Sequence, residues 1–199
     1  MHLPSNGSLG GVVGEELLEW LNTNFIAPDS DEAIELSRLS APWTEDSFWH
    51  YLIRSVLSCS QTMCNDSHRC VLRGLLPTAS IFLEGLKKHP STLMSHQADT
   101  LINVLSSHPR SNSFDTEQEF FYTWRQWKSK IAGFRKKLEL ISDQDGGDWL
   151  PWLLEIAHII EGDKATILRY CESYEEGWKE AICVWGIWVD IGLRRQNIP

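Results

Sequence analysis

The chain has 199 residues, 42% of them hydrophobic and 23% charged, with a net charge of −9, which suits one domain with a real core or several stacked helical hairpins. Its 18 basic residues are scattered, whereas a nucleic-acid surface needs clustered Lys and Arg. No stretch reaches the apolar length of a membrane span and the N-terminus lacks the plan of a secretory leader, so the chain reads as intracellular and not inserted in a membrane.

Residues 1–14 are rich in Gly and Ser without an apolar period, and read as a flexible leader. From there on apolar residues recur at steps of three and four and strict alternation is nearly absent, which predicts helices and no sheet. The first helix is expected from Glu15 to Phe25, ended by Pro28. The second spans Ser30 to Leu39, with the acidic first turn Asp31-Glu32 at the positive end of its dipole. Pro42 separates it from a third, which begins near Thr44 and uses Phe48, Trp49, Leu52, Ile53, Val56 and Leu57 as a wide apolar face.

The stretch "SCSQTMCNDSHRCVL" then interrupts the pattern. Cys59, Cys64, His68 and Cys70 are ligand types for tetrahedral zinc, so a small Cys/His zinc-binding helical module is one reading. Their C-x4-C-x3-H-x-C spacing is not that of paired short knuckles. The flanks favour another reading. If Ser58 to Leu72 is removed, "FWHYLIRSVL" runs into "RGLLPTASIFL" as a helix, a stop at Gly74 and a second helix. The segment 58–72 is therefore expected to be an inserted loop, of the kind a retained intron or an alternative splice would leave.

Past it, Pro77 opens a helix holding Ala79, Ile81, Phe82, Leu83 and Leu86, and a further helix runs from Thr92 to Leu105. Thr116 with Glu119 three residues on forms a capping-box signature. Phe120, Trp124, Trp127, Ile131, Phe134, Leu138 and Ile141 then form a continuous seam along one long helix, about 39 Å for roughly 26 residues. "SDQDGGD" reads as a loop. It leads into a helix with Trp152, Leu153, Ile156, Ala157 and Ile160, stopped by Gly162, and Asp163 can cap the short helix that follows. The last helix starts near Glu175 and presents Trp178, Ala181, Ile182, Trp185, Trp188 and Val189.

These elements make an all-α chain, an irregular α-solenoid or bundle of stacked antiparallel hairpins over residues 15–199, with no fixed-period repeat. Trp49, Trp124 and Trp127 lie on helix seams and read as core. Trp185 and Trp188, three apart on the last apolar helix, are expected to face a further hairpin and are the candidate protein interface. The chain is accordingly expected to be part of a longer solenoid.

The sequence contains no P-loop, GxSxG or HExxH pattern. Paired acids such as Glu175-Glu176 lie in helix first turns, where the dipole explains them. No catalytic, cofactor-binding or metal site is assigned, and the chain is read as a non-enzyme.

Three stretches carry a resemblance. The joined "FWHYLIRSVL…RGLL", then "FYTWRQWKSKIAGFRKKLE", then "WLLEIAHIIEGDKATILRYCESYEEGWKEAICVWGIW" occur in the order and with the gaps of the nucleoporin-85 family. The match spans about residues 15 to 193 and departs from the pattern at 58–72. The resemblance implies a coatomer-like scaffold element of the Y-shaped subcomplex of the nuclear pore complex, located at the nuclear envelope. It would serve nucleocytoplasmic transport of protein and mRNA through contacts with other scaffold nucleoporins. In that family an N-terminal segment completes a small WD-repeat propeller. No strand-rich segment is present here, so that docking element is expected to be absent.

Overall fold

A computed structural model of the chain describes residues 30–57, 75–109, 113–172 and 177–192. The leader, the helix expected at 15–25, the Cys/His cluster with the insertion at 58–72, and the terminal "RRQNIP" lie outside these residues. Among the described residues there are helices and no strand. They are α1 (Ser30–Arg38), a 3₁₀ turn (Pro42–Thr44), α2 (Asp46–Leu57), α3 (Leu75–Leu86), α4 (Thr92–Ser106) and α5 (Glu117–Glu139). There follow α6 (Asp143–Gly146), a 3₁₀ turn (Gly147–Trp149), α7 (Leu150–Glu161), α8 (Lys164–Glu172), α9 (Gly177–Val184) and a π turn (Trp185–Val189).

The helix boundaries have local causes. Ser91 caps α4, its hydroxyl accepting from the Met94 amide at 3.3 Å. Thr116 does the same for α5, accepting from the Glu119 amide at 3.3 Å. Each bond satisfies an amide that the first turn leaves without a partner. At the end of α7, Gly162 takes φ +91°, and its amide donates to Ile159 O at 2.9 Å while the Asp163 amide donates to His158 O at 2.8 Å. This is the paired bonding of a Schellman stop. Asp163 then starts α8, its carboxylate accepting from the Thr166 amide at 2.8 Å and the Thr166 hydroxyl at 2.6 Å. Those bonds hold its carboxyl below the usual range, the hydroxyl bond first. Asp163→Ala is expected to cost about 1 kcal/mol of stability, read as a lowered urea midpoint at neutral pH.

The sequence "SDQDGGD" is not a plain loop. Ser142 caps a single turn there, accepting from the Asp145 amide at 3.3 Å and donating to its carboxylate at 2.6 Å. The chain can then fold back so that Trp149 is buried.

Packing centres on α7, which contacts α5, α2, α8 and the π turn, while α3 pairs with α4 and α8 with α9. Most of the seam read along α5 is observed, with Phe120, Trp127, Ile131, Phe134 and Leu138 all buried, whereas Trp124, expected in the core, and Ile141 are only half-buried. Buried residues from Ala33 to Trp188 form one continuous cluster. The contact of α2 with α7 joins helices about a hundred residues apart, and carries the parallel stack of Trp49 on Trp152, with ring centroids 6.1 Å apart.

Two buried donors are matched within this core, whereas the Trp188 indole N–H finds no partner among the described residues. The Trp127 indole donates to Val104 O at 2.8 Å, tying α5 to α4, and the Ser55 hydroxyl donates to Tyr51 O at 2.9 Å. Such pairing avoids the cost of stranding a donor away from water.

Candidate interaction surface

The last helical segment carries the residues singled out in the sequence, and its two faces differ from those of a regular α-helix. After Val184 the backbone widens: the Asp190 amide donates to Trp185 O, five residues back, at 2.8 Å. A π turn shifts every later side chain around the axis. Ala181, Val184, Ile187, Trp188 and Ile191 point inward and are buried, the last three at or beyond the widened turn. Trp178, Ile182, Trp185 and Val189 follow one another at steps of four, three and four on the other side. Trp178 is 65% exposed, and the other three are half-buried.

The two tryptophans proposed as an interface therefore part company. Trp188 is fully buried. Its ring stacks on Trp127 with centroids 5.8 Å apart, and His108 stands edge-on to both, at 4.7 Å from Trp127 and 5.5 Å from Trp188. These three rings join the exit of α4, the middle of α5 and the π turn in one contact, so Trp188 is core. Trp185 keeps a face toward solvent, with the Lys164 ammonium 4.5 Å from its ring centroid. That distance is in the cation–π range. Leu168, also on α8, is 42% exposed. Trp178, absent from the expected interface, is the most exposed tryptophan among the described residues. Its heptad-like spacing to Ile182, Trp185 and Val189 was a readable signal, obscured because a regular α-helix would have placed Ala181 and Trp188 on the same face.

The stripe is held from behind by a buried amine that nothing in the sequence marks. Lys128, on α5, donates to Ile160 O at 2.7 Å and to Trp188 O, and lies 5.1 Å from the Trp124 ring centroid. It thereby bonds the end of α7 to the π turn. Burial pulls its pKa down to about 7, with the Glu161 charge pulling it back up. Arg135, two turns along the same helix, pairs with Glu161 and Glu139. The run Arg135-Lys136-Lys137, read as a solvated face, is thus only partly so: Lys136 and Lys137 are exposed and Arg135 fastens α5 to α7.

Among the described residues no group of three or more His, Cys, Asp or Glu could hold a metal ion, and no helix is long and apolar enough to cross a membrane. Cys59, Cys64, His68 and Cys70 lie outside the described residues. The described residues present the stripe on α9 and the π turn, and clefts between helices.

No curated protein and no solved structure matches the chain. The family model of the Nup85 nucleoporins matches residues 68–190, a stretch running from just before α3 to the end of the π turn. It takes in the α5 seam, the Gly162 stop and the tryptophan-bearing last helix. With well over half of its length inside that match, the chain belongs to the Nup85 nucleoporin family, structural proteins of the nuclear pore complex at the nuclear envelope.

Proposed function

We propose that the chain is a solenoid element of the Y-shaped scaffold subcomplex, acting without catalysis by presenting helical surfaces to neighbouring nucleoporins, and so supporting transport of protein and mRNA through the pore. The observation that carries this reading is the apolar stripe Trp178, Ile182, Trp185 and Val189. Its two tryptophans are the residue type most enriched at the energetic centres of protein interfaces, and the core behind them is closed without their help. The occupant we assign to the stripe is an apolar helix face of another scaffold nucleoporin. The small WD-repeat propeller is not assigned to it, since the family docks that partner through a strand-forming segment. We retain 58–72 as an inserted loop, with the family match beginning at residue 68 inside its last part. Transcript reads that never join codon 57 to codon 73 would remove that reading.

Affinity capture of the tagged chain from cross-linked extract tests the assignment. Scaffold nucleoporins are expected among the captured proteins, and Trp178→Ala with Trp185→Ala is expected to reduce their recovery about tenfold or more, the loss of two interface anchors. Trp178→Ala by itself should leave the unfolding midpoint nearly unchanged, within about 0.5 kcal/mol, because the side chain is largely in solvent. Capture without scaffold nucleoporins contradicts the reading, and undiminished capture by the double variant removes the stripe from it.

A further inference from the structure

At the opposite end of α7 from the stripe, a cleft of about 850 Å³ opens between the start of α2, the α3–α4 connection and the turn before α7. Four of the chain's ten tryptophans line it: Trp43, Trp49, Trp149 and Trp152. Trp49 and Trp152 lie parallel, with centroids 6.1 Å apart; Trp49 and Trp149 are buried, while Trp43 and Trp152 are half-buried and open to the cleft. Four of the other lining residues are acidic. Glu45 and Asp46 come from the entry to α2, and Asp145 and Asp148 from the turn before α7.

Among the described residues no lysine or arginine lines the cleft. Glu45, Asp46 and Asp148 form no ion pair with any described residue, and Asp145 is engaged only by Ser142. Two histidines also line the cleft. His89 sits edge-on to Trp43 at 5.2 Å, its Nδ1 accepts from the Ser91 amide at 3.0 Å, and burial lowers its pKa. His50 stands edge-on to Trp152 at 5.0 Å.

Helix dipoles account for acids at helix starts. They do not account for an open cleft of this size floored by indole rings. Indole faces attract cations, and carboxylates at the rim add Coulomb attraction; together they make a receptor for a flat or compact cation. We propose that this cleft binds an arginine or lysine side chain on an extended basic segment of a partner protein. The inference rests on the scaffold reading for the nature of the partner, and on the cleft alone for the chemistry.

The test uses the purified 199-residue chain and two fluorescein-labelled synthetic peptides, one of alternating Gly and Arg and one with citrulline in place of every Arg, read by fluorescence anisotropy. The Arg peptide is expected to bind about tenfold or more tighter than its neutral counterpart. Glu45→Gln with Asp46→Asn and Asp148→Asn should abolish that preference. Glu35→Gln with Asp115→Asn and Glu119→Gln, which removes the same charge elsewhere, should keep it. Equal binding of the two peptides, which shows no recognition of the cation, or equal loss in both triple variants, which shows attraction to the net charge alone, overturns the proposal. Should the cleft variant lose its helical circular dichroism, titration of the intact chain with N-acetyl-arginine amide decides. The indole N–H resonances of Trp49 and Trp152 shift under the proposal and stay fixed without it. Capture of scaffold nucleoporins from extract reads the scaffold assignment separately, so either reading can fail while the other stands.

Discussion

Gly162→Ala is expected to cost the chain more than about 3 kcal/mol of stability. A left-handed residue with a Cβ pays about 1–2 kcal/mol by itself, and here the Cβ would also stand 2.5 Å from the Trp188 carbonyl oxygen and 3.2 Å from the Lys128 amine. The carbonyl belongs to the backbone of the π turn and cannot swing aside as a long side chain would. Urea unfolding followed by tryptophan fluorescence should show a lower midpoint with an unchanged slope. Gly133→Ala, in the exposed middle of α5 with nothing within 4 Å of the new Cβ, should be stabilising by up to about 1 kcal/mol. If Gly162→Ala behaved like Gly133→Ala, the close approach of α7 to the π turn would be wrong.

Lys128→Met should be nearly as costly, about 2–4 kcal/mol, because two buried carbonyls, those of Ile160 and Trp188, lose their donor at once. The same lysine gives stability a pH dependence of defined sign. Its folded pKa of about 7 lies below the ordinary lysine value of 10.5, so between those values the unfolded chain binds the extra proton. Stability therefore rises from pH 7 toward 10, by at most roughly 1.4 kcal/mol per pH unit from this group. Below pH 7 the group is protonated in both states and its contribution is flat. Unfolding free energies at pH 7 and pH 9 should differ in the wild type, and the difference should shrink in Lys128→Met. Gly162 and Lys128 meet at the same carbonyl, so the double variant should fall short of the sum of the two losses.

What the sequence made legible follows from periodicity. The α5 seam, the Thr116 and Asp163 caps and the Gly162 stop each depend on residues within a few positions of one another, and each was readable as such. What escaped depends on contacts distant in sequence. Lys128 looks like any surface lysine of a helix, and only the arrival of α7 and the π turn at its tip makes it a buried clamp. The stack of Trp49 on Trp152 brings α2 to α7, and no local pattern announces it. The π turn is a subtler case: one additional backbone residue rotates the last helix, moving Trp188 into the core and leaving Trp185 on the outer stripe. Ser142 turned a segment of Asp and Gly into helical turns because one hydroxyl supplied the cap that composition alone does not reveal.

The most direct test of the scaffold role uses Lys164, whose amine lies over Trp185 at the edge of the stripe. Assembled pore scaffold carrying the tagged chain would be treated with an amine-reactive cross-linker and digested, and the Lys164 products identified by mass spectrometry. Cross-links from Lys164 to lysines of another scaffold nucleoporin, weakened by Trp178→Ala with Trp185→Ala, are the predicted result. Lys164 linked only within its own chain, and labelled as readily in the assembled scaffold as in the isolated protein, would contradict a contact at this surface.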